Sequence, residues 1–292
     1  MIVAIQNVKS GGLDLSLAFL VTLRAFSLLD RSVKDIVGVT MPGFATSGKT
    51  EINANELMGR TGVNKRVVDV STACKQNFDD IGHDEGLKDI TYENVQARER
   101  TQILMNLANK EGGLVVGTSD LSELALGWTT YDGDHMSMYA VNADVPKTLV
   151  KYLIEWVGGV EMVDASDLPY DIVDTPISPG VVPGNGEGEI GQKSEEILGP
   201  FELHDFYLYH FLRFGAGPEK LFVVARRFFS GIYKPEEILN WLGVFHERFF
   251  SQQFKRSCLP DGSKVGTVSL SPRTDWRMSS DISPGPWRDR IE

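Results

Sequence analysis

The 292-residue chain has 42% hydrophobic and 24% charged residues, which is typical of a globular protein with a large buried core. Its formal net charge of −11 argues against nucleic-acid binding, and no apolar run approaches the ~18 residues of a membrane span. Its two cysteines, Cys74 and Cys258, are too few for a disulfide framework or a zinc site. The N-terminus lacks a signal-peptide pattern, and we therefore expect a cytoplasmic protein.

The first predicted element is a short buried strand over residues 2–5. The turn Ser10-Gly11-Gly12 and a helix from about Leu13 follow it. A strand that leads through glycines into a helix presents backbone N–H groups and the positive end of the helix dipole to an anion. The residues alone also fit a simpler interpretation, in which Ser10 only caps the helix.

Further strands are predicted at 35–40, 66–70 and 114–117, with helices at 53–58 and 92–109 between them. Gly112-Gly113 is the predicted stop of the helix at 92–109, and Pro146 predicts a helix that starts at Lys147. This alternation predicts an α/β fold. We expect a doubly wound, mostly parallel sheet of about five strands with helices on both faces and a helical C-terminal part. Ligands of such sheets bind beyond the carboxyl ends of the strands, where the loops at 10–14, 41–47 and 118–120 would meet.

Residues 178–191 are rich in Gly, Pro and acidic residues and show no periodicity. They fit either a passive insertion or a lid over a site. The aromatic residues of 201–250 suggest core and subunit contacts. We therefore expect a single domain over 1–292 with a flexible, lid-like loop at about 178–198.

Three further segments carry a resemblance. They are TYENVQA at 91–97, GTSDLSELALGW at 117–128 and QFKRS at 253–257. Together with SGGLD at 10–14, they resemble the synthetase domain of glutamine-dependent NAD synthetases, a branch of the ATP pyrophosphatases, from about residue 2 to 281. The resemblance implies a ligase of NAD biosynthesis. In this family, ATP adenylates the nicotinate carboxylate of deamido-NAD, ammonia displaces AMP to form NAD, and AMP and pyrophosphate are released.

The resemblance also implies site residues. The expected ATP-binding residues are Ser10, Gly11, Gly12, Leu13, Asp14, Leu15, Ser16 and Thr118. The expected deamido-NAD-binding residues are Asn94, Arg98, Glu123, Trp128, Thr130, Tyr131, Asp134, Lys147 and Lys255. Asp14 and Glu123 would bind Mg²⁺, for which carboxylates are suitable ligands. The local alternative for Glu123 is a capping box with Asp120.

Two features favour other functions. The family pattern continues Asp-Ser-Thr after the glycines, whereas this chain has Leu15-Ser16, and Val8-Lys9 is also atypical. These departures leave open a non-catalytic nucleotide-binding remnant. In addition, GFATSGKT at 43–50 satisfies the Walker A pattern of a P-loop NTPase. Met41-Pro42 separate this loop from its strand and no Walker B strand is evident, so we rank this alternative lower.

The expected partners are deamido-NAD, ATP and ammonia, with no nucleic acid and no membrane. The resemblance implies a homodimer or a larger homo-oligomer. Glutamine-dependent synthetases carry an N-terminal glutaminase domain, and we expect none within this chain. Ammonia would then come directly from solution or from a glutaminase domain or subunit.

Overall fold

The computed structural model describes residues 12–44, 56–160 and 194–290. The predicted strand at 2–5, the predicted contacts of Ser10 and Gly11, most of the Walker-like stretch and most of the lid-like loop lie outside these residues. The helices are α1 (Leu13–Leu28), α2 (56–61), α3 (Ser71–Ile81), α4 (Ile90–Glu111), α5 (Leu121–Leu126), α6 (Lys147–Val160), α7 (Ser194–Leu198), α8 (Phe201–Phe214), α9 (Pro218–Phe228), α10 (Pro235–Ser251), α11 (Gln253–Arg256) and α12 (Gly285–Arg288).

Four short strands accompany these helices: β1 (Val37–Thr40), β2 (Asn64–Val67), β3 (Val116–Gly117) and β4 (Tyr139–Ala140). β1 pairs with β2 and β3 pairs with β4, in both cases in parallel. Parallel pairing agrees with the predicted α/β class. Within the described residues the strands form two separate pairs, so the predicted five-stranded sheet is not seen there. The strand predicted at 66–70 begins earlier, at Asn64, and ends at Val67.

The termini of α1 and α4 follow local signals in the sequence. Gly12 precedes α1 with a φ of 93°, a left-handed conformation that glycine adopts at no steric cost. Asp89 caps α4 by accepting hydrogen bonds from the backbone N–H groups of Thr91 and Tyr92. Gly112 ends α4 in the left-handed region, as the predicted stop at Gly112-Gly113 required.

Three apolar clusters hold these elements together. The first lies under α1 and α6, and the second lies between β1, α3 and α4. The third joins α5 to helices α8, α9 and α10 and contains most of the buried aromatic rings. The short helix α5 therefore links the strand region to the C-terminal helices. None of the helices in the described parts combines the length and apolar character needed to cross a membrane.

Leu15 lies in the first apolar cluster, with only 4% of its surface exposed. It shares this cluster with residues of α6 such as Val150 and Ile154, so its side chain belongs to the buried core. Replacing Leu15 by Ser should therefore lower the free energy of unfolding by about 3 kcal/mol, because it leaves a cavity and a buried hydroxyl. The measurement is urea unfolding, with Leu149→Ser as a control because Leu149 is 44% exposed. A loss in Leu15→Ser no larger than in the control would contradict the burial of Leu15.

Candidate functional site

Four ionisable side chains meet where α1, α5 and α6 begin. The Lys147 ammonium contacts Oδ2 of Asp14, lies 2.6 Å from Oδ2 of Asp120 and lies 3.0 Å from Oε1 of Glu123. All four side chains are buried. We call these residues the ionic cluster. It joins the predicted metal ligands Asp14 and Glu123 to Lys147, which opens α6 directly after Pro146, as predicted from sequence.

Asp120 reaches the ionic cluster through its role as a helix cap. One carboxylate oxygen accepts a hydrogen bond of 2.8 Å from the backbone N–H of Glu123. The other oxygen faces Lys147. The sequence predicts that Asp120 caps α5 in a loop near the ligand-binding edge of the sheet, and its spacing gives no sign that the same carboxylate also pairs with a buried lysine.

Burial and mutual repulsion shape the protonation of the ionic cluster. Desolvation raises the pKa of Asp120, and it raises the pKa of Glu123 to about 7; in both, Lys147 opposes the effect and Asp14 adds to it. Burial lowers the pKa of Lys147, but its three carboxylate neighbours outweigh this, so the net direction is upward. With all groups ionised, three negative charges face one positive charge, so the cluster carries an excess of negative charge.

The ionic cluster also fits a divalent cation. One carboxylate oxygen from each of Asp14, Asp120 and Glu123 lies within 4.8 Å of the others. Oδ1 of Asp14 is buried and has no hydrogen-bond partner among the described residues. Buried carboxylate oxygens are the ligands that Mg²⁺ prefers, so this donor set suits the predicted ion.

Asn142 connects the ends of two elements that flank the ionic cluster. Its side-chain amide donates hydrogen bonds to the backbone oxygens of Asp14, at 2.8 Å, and Thr118, at 3.1 Å. It therefore holds the start of α1 against the loop that follows β3. Sequence reasoning missed Asn142, because nothing in its local pattern marks the contact.

The remaining predicted ATP-binding residues begin α1. Gly12 supplies the backbone oxygen that accepts the first helical hydrogen bond, from the N–H of Ser16. The side chains of Leu13, Leu15 and Ser16 are all buried. Leu13 and Leu15 belong to the first apolar cluster, so any ATP contact at these two positions would come from their backbone.

A second group of predicted residues lies in the loop that follows α5, at 128–135. The Thr130 backbone N–H donates a 2.7 Å hydrogen bond to Asp134. Tyr131 stacks on His135 and contacts Phe254, with ring centres 5.4 Å apart in both pairs. Arg98 donates to the backbone oxygen of Tyr131, which joins α4 to this loop. Asn94 lies four residues before Arg98 on α4 and is partly buried.

His135 packs against Cys258, with Nε2 3.3 Å from Sγ. Burial lowers the pKa of this histidine. Trp128 donates through Nε1 to the Ser194 hydroxyl, 3.0 Å away, so α7 reaches the same loop.

Lys255 and two arginines meet the carbonyl end of α5. Lys255 donates to the backbone oxygens of Gly127 and Thr129, at 2.7 Å each. Arg256 donates to the oxygens of Leu124 and Ala125, and Arg248 donates to that of Leu126. These contacts supply partners for carbonyls that the helix leaves unpaired and place positive charge at its negative end. Here Lys255 supports the loop that carries Thr130, which sequence reasoning did not anticipate.

Comparisons with known proteins agree with the predicted family. A family model described as NAD synthase matches residues 8–216. A glutamine-dependent NAD(+) synthetase of Mycobacterium leprae is 42% identical over 97% of this chain, and one of Thermotoga maritima is 30% identical over 92%. The chain spans less than half the length of these relatives, 45% and 42% respectively.

Solved structures show the same fold. A glutamine-dependent NAD(+) synthetase from Cytophaga hutchinsonii aligns with a TM-score of 0.76 at 17% identity, covering 100% of this chain and 52% of that one. An NMN synthetase from Francisella tularensis aligns with a TM-score of 0.57 at 17% identity, covering 86% of this chain and 85% of that one.

Proposed function

The chain belongs to the NAD synthase family, and we propose from this that it catalyses the ATP-dependent amidation of deamido-NAD to NAD, releasing AMP and pyrophosphate. The observation that carries the proposal is the ionic cluster of Asp14, Asp120, Glu123 and Lys147. It combines three buried carboxylates with a buried ammonium where α1, the helix that follows the predicted ATP-binding loop, meets the starts of α5 and α6. An enzyme that transfers an adenylyl group needs both kinds of charge, to hold a metal-bound triphosphate.

In this proposal one group of site residues binds the metal and the phosphates, and the other binds deamido-NAD. Asp14, Asp120 and Glu123 hold Mg²⁺, which when bound offsets the charge of the phosphates. Lys147 supplies a buried positive charge for a phosphate oxygen of ATP. Glu123 and Lys147, which the resemblance assigned to deamido-NAD, therefore act on the triphosphate in this proposal. Trp128, Thr130, Tyr131 and Asp134 orient the nicotinate ring, and Asn94, Arg98 and Lys255 contact the rest of deamido-NAD. Orientation and charge stabilisation then provide most of the acceleration.

Neither thiol of the chain is suited to glutamine hydrolysis. Cys74 is fully buried, and this burial raises its pKa to about 11. Burial also raises the pKa of Cys258. Since the thiolate is the nucleophile, both cysteines are poor candidates for a glutaminase nucleophile at neutral pH. We therefore propose that this chain uses ammonia as the nitrogen donor, directly or from a glutaminase domain or partner.

The test is an assay of the 292-residue chain with MgATP, deamido-NAD and either ammonium chloride or ammonia-free glutamine. We expect NAD, AMP and pyrophosphate in equal amounts with ammonium, and a rate near background with glutamine. Asp14→Asn should lower the ammonium rate at least about tenfold. ATP binding without NAD formation would instead support a non-catalytic nucleotide-binding remnant. Loss of activity in Lys49→Ala would support the P-loop alternative.

We also propose the finer features predicted from sequence. The two parallel strand pairs would belong to one doubly wound sheet of about five strands, in a single cytoplasmic domain. The contact between Ser194, where α7 begins, and Trp128 supports a lid role for the segment predicted as a loop at about 178–198, whose last five residues form α7. Protection of this loop from proteolysis by ATP and deamido-NAD would test that role. Sedimentation velocity would test the proposed homodimer.

A further inference from the structure

Asp205, on α8, joins this helix to the two helices that carry Glu123 and Lys147. One of its carboxylate oxygens accepts a hydrogen bond from the Ser122 hydroxyl of α5. The other accepts two from Thr148 of α6, at 3.0 Å from the backbone N and 2.8 Å from Oγ1. A single carboxylate thus connects three helices.

Both partners of Asp205 are chain neighbours of ionic-cluster residues. Ser122 immediately precedes Glu123, and Thr148 immediately follows Lys147. The Ser122 hydroxyl also accepts a 2.8 Å hydrogen bond from the backbone N–H of Lys147. That hydroxyl donates its one proton to Asp205. The two hydrogen bonds therefore run in one direction, from the Lys147 N–H as donor, through Ser122, to Asp205 as the final acceptor.

A carboxylate satisfies all three of these contacts at once. Ser122 and Thr148 act only as donors toward Asp205, and an amide NH₂ group in its place would turn a donor toward them. The Thr148 N–H lies in the first turn of α6, where the helix provides no partner and where negative charge is favourable. A second residue of α8, Phe201, places its ring 5.5 Å from the Lys147 ammonium. Helix α8 therefore contacts the Lys147 side chain directly through Phe201. It is also connected to the Lys147 backbone, by way of Ser122 and Asp205.

We propose that Asp205 is a positioning residue, which sets the relative placement of Glu123 and Lys147 by holding the N-termini of α5 and α6 together. It contacts no reacting group and acts through Ser122 and Thr148. The effect on catalysis rests on the proposed function, whereas the effect on the placement of Lys147 does not. The test therefore measures the two separately.

The first measurement reports where Lys147 is, without any turnover. The wild-type chain and Asp205→Asn are treated with limiting acetic anhydride, and the acetylation of each lysine is followed by peptide mass. We expect Lys147, which is 2% exposed in the wild type, to react at least about tenfold faster in the variant. Lys255, which is held by two backbone oxygens far from Asp205 in sequence, should react at an unchanged rate.

The second measurement is steady-state kinetics with ammonium. Asp205→Asn should lower kcat about tenfold and change the KM for deamido-NAD by less than about twofold, because none of the contacts of Asp205 in the described structure reaches the nicotinate-side residues. In a Ser122→Ala background, Asp205→Asn should have little additional effect on kcat, since the connection is already broken. Glu202→Gln removes a carboxylate from the same helix, where it contacts Tyr233 instead, and should match the wild type.

An unchanged reaction rate for Lys147 would overturn the proposal, and so would parallel acceleration of Lys147 and Lys255, which would indicate general loosening of the fold. Selective acceleration of Lys147 in a chain that makes no NAD would support the positioning role and count against the proposed function. If Asp205→Asn does not fold, Ser122→Ala provides the same comparison, because it removes the middle of the connection.

Discussion

Replacing Lys147 by Met should lower the free energy of unfolding at pH 8 by about 3–5 kcal/mol, the usual cost of removing one partner from a buried ionic group. The ammonium is the only positive group that the described residues place in contact with Asp14, Asp120 and Glu123. Met keeps most of the side-chain volume, so the loss would reflect charge rather than packing. Chemical unfolding followed by circular dichroism measures it.

The same variant should lose less stability at pH 5 than at pH 8. Burial already raises the pKa of Asp120 and Glu123 in the folded chain, and removing Lys147 should raise both pKa values further. A carboxylate with a raised folded pKa adds stability below its unfolded pKa and loses it as pH rises through the folded value. The free energy of unfolding of the variant therefore approaches that of the wild type at pH 5 and falls below it at pH 8.

Lys151→Met is the matched control for this comparison. Lys151 lies on the same helix as Lys147 but is exposed to solvent. Its replacement should change the free energy of unfolding by less than about 0.5 kcal/mol at both pH values. Equal losses for Lys147→Met at pH 5 and pH 8 would show that the lysine stabilises the fold by packing and not by neutralising the carboxylates.

Local sequence patterns predicted the features that depend on neighbouring residues. The end of α4 at Gly112 and the start of α6 at Lys147 follow from glycine and proline chemistry, and the structure has both. Asp14 and Glu123 came from the family resemblance, and the structure brings their carboxylates together. For the two helix ends the signal lies within a few residues of the feature, whereas the pairing of Asp14 with Glu123 depended on motifs spread along the chain.

Contacts between distant residues could not be predicted in the same way. Asn142 contacts Asp14 across 128 positions, and Asp205 contacts Ser122 across 83. No periodicity or spacing encodes such pairs, because they arise only when the helices pack. Leu15 shows the converse problem: its position in the motif suggested a role at the phosphate, whereas the packing of α1 directs its side chain into the core.

Two buried histidines in the C-terminal helices should make the fold sensitive to acid. The His204 ring lies 2.6 Å from the backbone oxygen of Leu198 through Nε2, and the His246 ring lies 2.9 Å from that of Leu242 through Nδ1. The second ring nitrogen of each histidine is buried and finds no hydrogen-bond partner within the described parts of the chain. Burial lowers the pKa of both rings to about 4, because a charged imidazole there would have no solvent.

The free energy of unfolding should therefore fall as the pH drops from about 6.5 to 4. In this range the unfolded chain binds protons at both histidines and the folded chain does not. Each ring contributes a slope of up to ~1.4 kcal/mol per pH unit, and the two together give a loss on the order of 6 kcal/mol. Above pH 7 both states are neutral at these rings, so their contribution stays constant.

The ionic cluster acts in the opposite direction over part of this range, because Asp120 and Glu123 stabilise the fold as they take up protons. The histidine effect is therefore measured as the difference between the wild type and His246→Phe, which keeps an aromatic ring in the same cluster of Phe211 and Phe250. This variant should lose about half of the acid sensitivity attributed to the histidines. His210→Phe, whose ring on α8 is only partly buried, should lose less. If the free energy of unfolding depended on pH in the same way for the wild type and His246→Phe between pH 7 and pH 4, the prediction would be contradicted. The His246 ring would then accept a proton in the folded chain despite its burial among aromatic rings.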